Sequence, residues 1–503
     1  MNLAARTVLV AVVVVGAFAV WATAGASRRP EVTIAAYVPP EPSHSGEGKG
    51  KAIGLSGCLA AACHGGPAEK ALGGTLDSTT WQGAGSVWVA ADPHSAAYSL
   101  LTDHPHRAVK VTAGHIMARY AGGRPATEDA RCLACHTNPA LAEPGPTTDP
   151  HVLNKRREGV SCEACHGNAS GWVREHTNWR GNRAEAYAAT GMVPLYDLGE
   201  RAVNCLGCHV GAPAAGGLPV RDMNHDMIAA GHPRLNFDFA EYLRRLPPHW
   251  QEKDRTSSES VPPARSLNPA KAWLVGRTAH AEAACKLLAS RAERSASDPR
   301  TPWPEFAEYN CASCHHNLRA ASDEEPDAQW RKDAAHLHGR RLGAPQWQTV
   351  WPLTPAAALA APTRAGSPLK DLLEKIEVPL PSRSVGSVAI ESATRLAVER
   401  KRLVGFADAD AVRASRKWLD TANLTVPEWD SGSQLLFGMA ALERSRSAKP
   451  ETLTAQFRTA FAAFVPPRVP LTDEAARRHD ERDRWNTFHA TVGTIRNVQN
   501  NRP

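Results

Sequence analysis

Gly159-Val160-Ser161-Cys162-Glu163-Ala164-Cys165-His166-Gly167 is the stretch on which the reading of this chain turns. Two cysteines three apart, with histidine directly behind the second, place two thiols and an imidazole together on one helical turn. The pattern recurs at Cys132-x2-Cys135-His136, Cys205-x2-Cys208-His209 and Cys311-x2-Cys314-His315. A further copy, Cys58-x4-Cys63-His64, carries two extra residues. Ten of the eleven cysteines are thereby used.

The chemistry that needs this spacing is haem attachment. Two thiols add across the two vinyl groups of one haem, and the adjacent imidazole meets the iron. Zinc would require the pairs in twos and has no need of histidine after each second cysteine. Disulfides, which an exported chain could form, leave the histidines unexplained. The expectation is therefore five covalently bound haem c groups, with His64, His136, His166, His209 and His315 as first axial ligands. Cys285, alone in Ala-Ala-Cys-Lys-Leu-Leu, reads as a small buried hydrophobe.

Sixteen of the 21 histidines remain for the opposite faces of the irons. His94 follows Asp92-Pro93, where a proline-initiated helix could present it. His176 stands ten residues beyond the third motif. His225 and His232 flank a helix-like segment seven residues apart, hence on one face if the helix persists. These four are the foremost second ligands. His316, His115, His151 and His104 are weaker candidates, and His44, His336, His338, His479 and His489 read as surface residues. With six methionines in the chain and Met227 alone in a suggestive place, methionine ligation is not expected.

The same residues carry a resemblance. The stretch 159–167 with His176 beyond it, the opening Cys58-x4-Cys63-His64-Gly65-Gly66, and Asp92-Pro93-His94 resemble the multihaem cytochrome c-552/c-554 family. So do Asp222–Leu235 and Pro304–Cys311. That family is related to octahaem hydroxylamine-oxidising and pentahaem nitrite-reducing enzymes. The resemblance spans about residues 50–340 and implies closely stacked haems in a mainly α, loop-rich fold. All five motifs end in histidine, whereas the nitrite reductases carry lysine as the catalytic iron's protein ligand. The ring-crosslinking tyrosine of hydroxylamine oxidation has no evident counterpart either, and Tyr98, Tyr196 and Tyr242 read as core residues.

Outward from the motifs, Arg6 precedes an uncharged run from Thr7 to Ala26. Such a run exports a chain, and its length approaches the ~20 residues that span a bilayer. Ala24-Gly25-Ala26 fits a cleavage site, so 1–26 is a signal peptide or an N-terminal membrane anchor, the length favouring the anchor. Residues 27–50 read as a flexible tether, 51–345 as the pentahaem domain and 346–503 as a helical accessory domain. Within the haem region, 270–294 has helical periodicity and the polar, proline-bearing stretch 244–265 reads as a surface loop. After Trp351, amphipathic helices are expected near 368–377, 386–403, 408–421, 430–445, 450–465 and 472–495.

The formal charge of +7 gives no argument for nucleic acid. Five haems with ionised propionates would bring it to about +2 oxidised or about −3 reduced, and no basic run is interleaved with aromatics. The function expected is electron transfer in the periplasm or on the outer face of a membrane, between redox partner proteins associated with that membrane. The alternative is an oxidoreductase acting on a small nitrogen or sulfur compound at one five-coordinate haem. The His136 site is the candidate for that open face, since no strong partner histidine can be named for it from the sequence.

Overall fold

Asn268-Pro269 starts the helix that organises the molecule. The Asn268 side chain accepts a hydrogen bond from Lys271 N at 3.1 Å, and Pro269 occupies the first turn, where its missing N–H costs nothing. The helix then runs Pro269–Ser297, a little beyond the periodicity expected over 270–294. It is buried on nearly every side: Trp273, Leu274, Val275, Ala279, Ala281, Ala284, Cys285 and Leu288 are covered, and so are Arg277, Glu282 and Arg291. A helix of that kind must be surrounded. Its neighbours are Leu198–His209, Phe239–Arg245, Val385–Val404, Asp408–Thr421 and Trp429–Arg446.

The molecule is seen in a computed structural model that describes residues 50–67, 81–102, 111–143, 145–179, 183–215, 218–247, 249, 267–309, 347, 368–378, 381–421, 429–446, 453–462 and 474–500. All of these fall in one contact-defined unit, Ser43–Pro503. The fold is mainly α, with one short antiparallel pair, Gly211–Ala212 against Arg221–Asp222. The expected signal or anchor over 1–26, most of the expected tether, the fifth motif with Cys311, Cys314 and His315, and His44, His104, His316, His336 and His338 lie outside the described residues. Among the described residues no helix is long and apolar enough to cross a membrane.

Helices from both sides of residue 346 share their cores. Leu198, Ala202, Leu206, Trp273 and Leu274 pack with Leu403, Trp418, Leu435, Leu436, Met439, Leu442, Phe488 and Ile495. The helix Trp429–Arg446 approaches so closely that a Cβ on Gly438 would lie 2.4 Å from Trp273 Cζ2. A second cluster seats Cys285 and Leu288 against Leu372, Ile376, Ala389 and Leu396. Charge pins the same junction: Arg400, itself buried, bonds Glu282 at 2.9 Å and Glu200 at 3.3 Å, joining three helices. A buried ion pair of this kind is costly to break on one side only.

That packing positions the half that carries the Cys-Cys-His motifs. In Leu198–His209, Leu198, Ala202 and Leu206 recur every four residues and face the long helix. Cys205, Cys208 and His209, at the C-terminal end of the same helix, line a cavity. A third, smaller core of Tyr98, Leu101, Met117, Leu133 and Ala134 backs the second motif. Tyr98 is buried as expected, but Tyr196 and Tyr242 are 39% and 43% exposed. Those two are corrected: they border the cavity rather than the closed core, Tyr196 on Tyr187 and Tyr242 on Phe237.

Candidate functional site

The motifs fold locally as their spacing requires. The second lies on the helix Ala130–His136, whose start is capped by Asp129 accepting from Arg131 N at 3.0 Å. The third is the single turn Cys162–His166, ended by Gly167 at φ +84°. A Cβ at Gly167 would lie 2.7 Å from Gly191 O, so both the backbone angle and the space call for glycine. The fourth closes the helix Leu198–His209. The first, with its longer spacing, follows the short 3-10 helix Leu55–Gly57 and is held as turns, with Cys63 N bonding Ala60 O at 2.8 Å and His64 N bonding Cys58 O at 3.2 Å.

Glu163, inside the third motif, straps the first to it. Its carboxylate is buried and accepts from Ile53 N at 3.0 Å, Gly54 N at 2.8 Å and Ala169 N at 2.7 Å. Glu158 accepts from Leu55 N at 2.9 Å, and Lys155 Nζ donates to Ala52 O at 2.7 Å. Glu163→Ala leaves three backbone donors without their acceptor, each worth about 1–3 kcal/mol when buried. Denaturant melts should register a loss of about 3–5 kcal/mol, with Glu163→Gln losing less. An unchanged midpoint for Glu163→Ala would show that this strap contributes nothing.

The four described motifs meet in one cavity of about 1910 Å³, lined by all of their cysteines and histidines. That is well beyond the roughly 300–1,000 Å³ of an ordinary ligand pocket. The thiols of different motifs interact across it: Cys58 with Cys162, and Cys135 with Cys208. Cys165 and Cys205 also lie close enough to influence each other, and Cys208 Sγ reaches Ala134 O at 3.9 Å. None of the described cysteines is in a disulfide. Among the described residues no group of three or more His, Cys, Asp and Glu converges as a cage for a metal ion.

The histidines come in opposed pairs. His64 faces His176 with ring centroids 6.3 Å apart, His209 faces His94 at 6.1 Å, and His136 faces His232 at 6.4 Å. Two metal–nitrogen bonds of about 2.0 Å, with about 1.1 Å more from each nitrogen to its ring centre, would separate two imidazoles on one iron by about 6.2 Å. The residues present therefore fit a haem held between each pair. His166 has no such ring contact among those described. His249 lines the same cavity, and its charge lowers the proton affinity of His166.

Most of these rings are held neutral by burial. It drives His166 down to about 3 and His209 down to about 4, and it also lowers His136, His232 and His249. Neutral imidazole is the form that ligates a metal. His94 is displaced upward instead, by its hydrogen bond to Asp92. Aromatic neighbours fix two rings further: Phe237 stacks on His209 at 4.4 Å, and Trp172 meets His176 edge-on at 5.5 Å.

Of the histidines singled out in the sequence, His94, His176 and His232 reach the cavity. His225 does not line it. It sits at the start of the helix His225–Ala229, its ring 5.7 Å from Phe306 on the segment that leads to Cys311. His115 is an exposed member of a capping box with Thr112, and His151 is exposed in the first turn of Pro150–Arg157. His249 is the residue that sequence reasoning missed. It lies in the polar stretch read as a surface loop, where its only local marks are Pro247, Pro248 and Trp250.

Residues 83–167 match the family model of cytochrome c554 and c-prime. The matched span holds Asp92-Pro93-His94 and both the second and third motifs. It places the recognised resemblance in that multihaem cytochrome family, with covalently bound haem c and a haem-based role in electron transfer. No curated protein matches the chain. No solved structure matches it either.

Proposed function

We propose that this chain is an exported pentahaem c-type cytochrome that carries electrons between redox partner proteins at a membrane. The observation that carries this reading is the opposed histidines, since three of the four described motifs have a second imidazole 6.1–6.4 Å from the first. When bound, haem c supplies a one-electron couple whose potential depends on its axial ligands and their surroundings. The protein's part is to fill both axial positions and to keep the sites adjacent. Thiol proximity supports an order of motifs one, three, four, two, through Cys58 with Cys162, Cys165 with Cys205, and Cys208 with Cys135. The count of five adds the Cys311 motif, and export rests on the uncharged run Thr7–Ala26.

The alternative, an oxidoreductase with one open iron, first pointed to the His136 site. His232 lies 6.4 Å from that ring, which argues against an open face there. Low-temperature EPR on the oxidised holoprotein, with haem counted as the pyridine haemochrome, tests the proposal. The expected result is five haems per chain, all low-spin. One high-spin ferric iron per chain, with turnover of nitrite, hydroxylamine or sulfite, would overturn it in favour of the enzyme.

A further inference from the structure

Each second histidine has its outer ring nitrogen engaged, and one partner differs in kind. His176 Nδ1 is bonded to Val173 O at 2.7 Å and His232 Nδ1 to Pro233 O at 2.8 Å. The first-ligand ring of His136 bonds Ala97 O at 2.9 Å in the same way. All three acceptors are neutral carbonyls. His94 Nδ1 instead meets the Asp92 carboxylate at 2.9 Å. Asp92 is buried, at 4% exposure, and among the described residues no arginine or lysine forms an ion pair with it.

The local fold holds this carboxylate in place. Asp92 caps the short 3-10 helix Pro93–Ala96, and the same oxygen accepts from His94 N at 2.9 Å and from its ring. Pro93 fixes the backbone between them. Ser95 Oγ donates to Asp92 O at 2.7 Å and closes the turn. The carboxylate and the ring are thus locked to each other within three residues of chain. The ring's other nitrogen is left for the cavity.

We propose that Asp92 sets the potential of the site held by His209 and His94 below those of the other described sites. A carboxylate on the outer nitrogen draws that proton towards itself and makes the ring a stronger donor. A more electron-rich ligand favours ferric over ferrous iron and lowers the potential. Carbonyl partners do this far less, because they carry no net charge. In the order one, three, four, two this site is interior, so an added electron rests on either side of it rather than on it. The inference rests on the reading of the histidine pairs as axial ligands.

The test is a potentiometric titration of holoprotein Asp92→Asn, followed by visible and EPR spectra. Asparagine is isosteric, keeps the cap and keeps an acceptor for the ring, and it removes only the charge. The redox equilibrium of one haem should shift about tenfold towards reduction, about 59 mV for one electron, with the others moving much less. Asp92→Glu, which retains the charge, should move it less than Asp92→Asn. Unmoved potentials in fully low-spin Asp92→Asn, or a uniform shift of all haems, would each overturn the role of Asp92. None of those results touches the axial pairing itself, which fails separately if the unaltered protein contains a high-spin haem.

Discussion

Serine at both Cys162 and Cys165 is expected to abolish the folded holoprotein rather than merely subtract one haem. The third motif lies at the centre of the thiol proximities, between the first and the fourth. Its cofactor would occupy a share of a cavity of about 1910 Å³. An empty apolar void costs about 24 cal/mol per Å³, so even a quarter of that space amounts to roughly 10 kcal/mol as an upper figure. Whole domains are stable by only about 5–15 kcal/mol. The double variant should therefore give little soluble protein, or protein with a melting temperature lowered by tens of degrees. Cys285→Ser is the matched control. That thiol is fully buried in the second core, outside every motif, and burying a hydroxyl there should cost about 1–3 kcal/mol while haem content stays at the unaltered value. A double variant that melts like the parent would show that the fold does not depend on its cofactors.

His232→Ala should convert one haem from low-spin to high-spin and open it to added ligands. The His232 ring stands 6.4 Å from His136, and its other nitrogen is tied to Pro233 O. Removing it leaves His136, held through Ala97 O, as the single imidazole at that site. The iron should then bind cyanide or imidazole, which the parent would not, and a new high-spin ferric signal should integrate to one per chain. Folding should suffer little, because His232 is only half-buried at the cavity rim. His115→Ala provides the comparison. It removes a capping box, at a cost of about 0.5–2 kcal/mol, and should change no spin state. A His232→Ala protein that remains wholly low-spin would remove the His136–His232 pairing and reopen the question of which iron is accessible.

Most of the covalent chemistry was legible in the sequence because it is local. Thiols and first imidazole lie within seven residues in every motif, so their spacing alone states what they hold. His94 was legible because Asp92-Pro93 marks a helix start, and that turn forms as Pro93–Ala96. The same aspartate had a second use that spacing does not reveal, the contact with the His94 ring. His249 left no such mark. It reaches the cavity from a stretch whose proline and charge content describes a surface loop. Tyr196 and Tyr242 were misjudged because an aromatic residue that lines a cavity looks, in sequence, like one in the closed core.

The sequence by itself set the expectation of five haems, of the cysteines that would attach them and of the histidine that would be the first ligand at each. It also marked the helix that begins at Pro269 and the helical character of the chain beyond residue 368. Only the tertiary structure decided which distant histidine faces which motif, that four motifs share one cavity, and that the helices after residue 368 pack into the same cores as Leu198–His209 and Pro269–Ser297. The physical reason is range. Thioether attachment is written into a few consecutive residues, whereas an opposing ligand is set by where separate segments meet, and that depends on every buried contact between them.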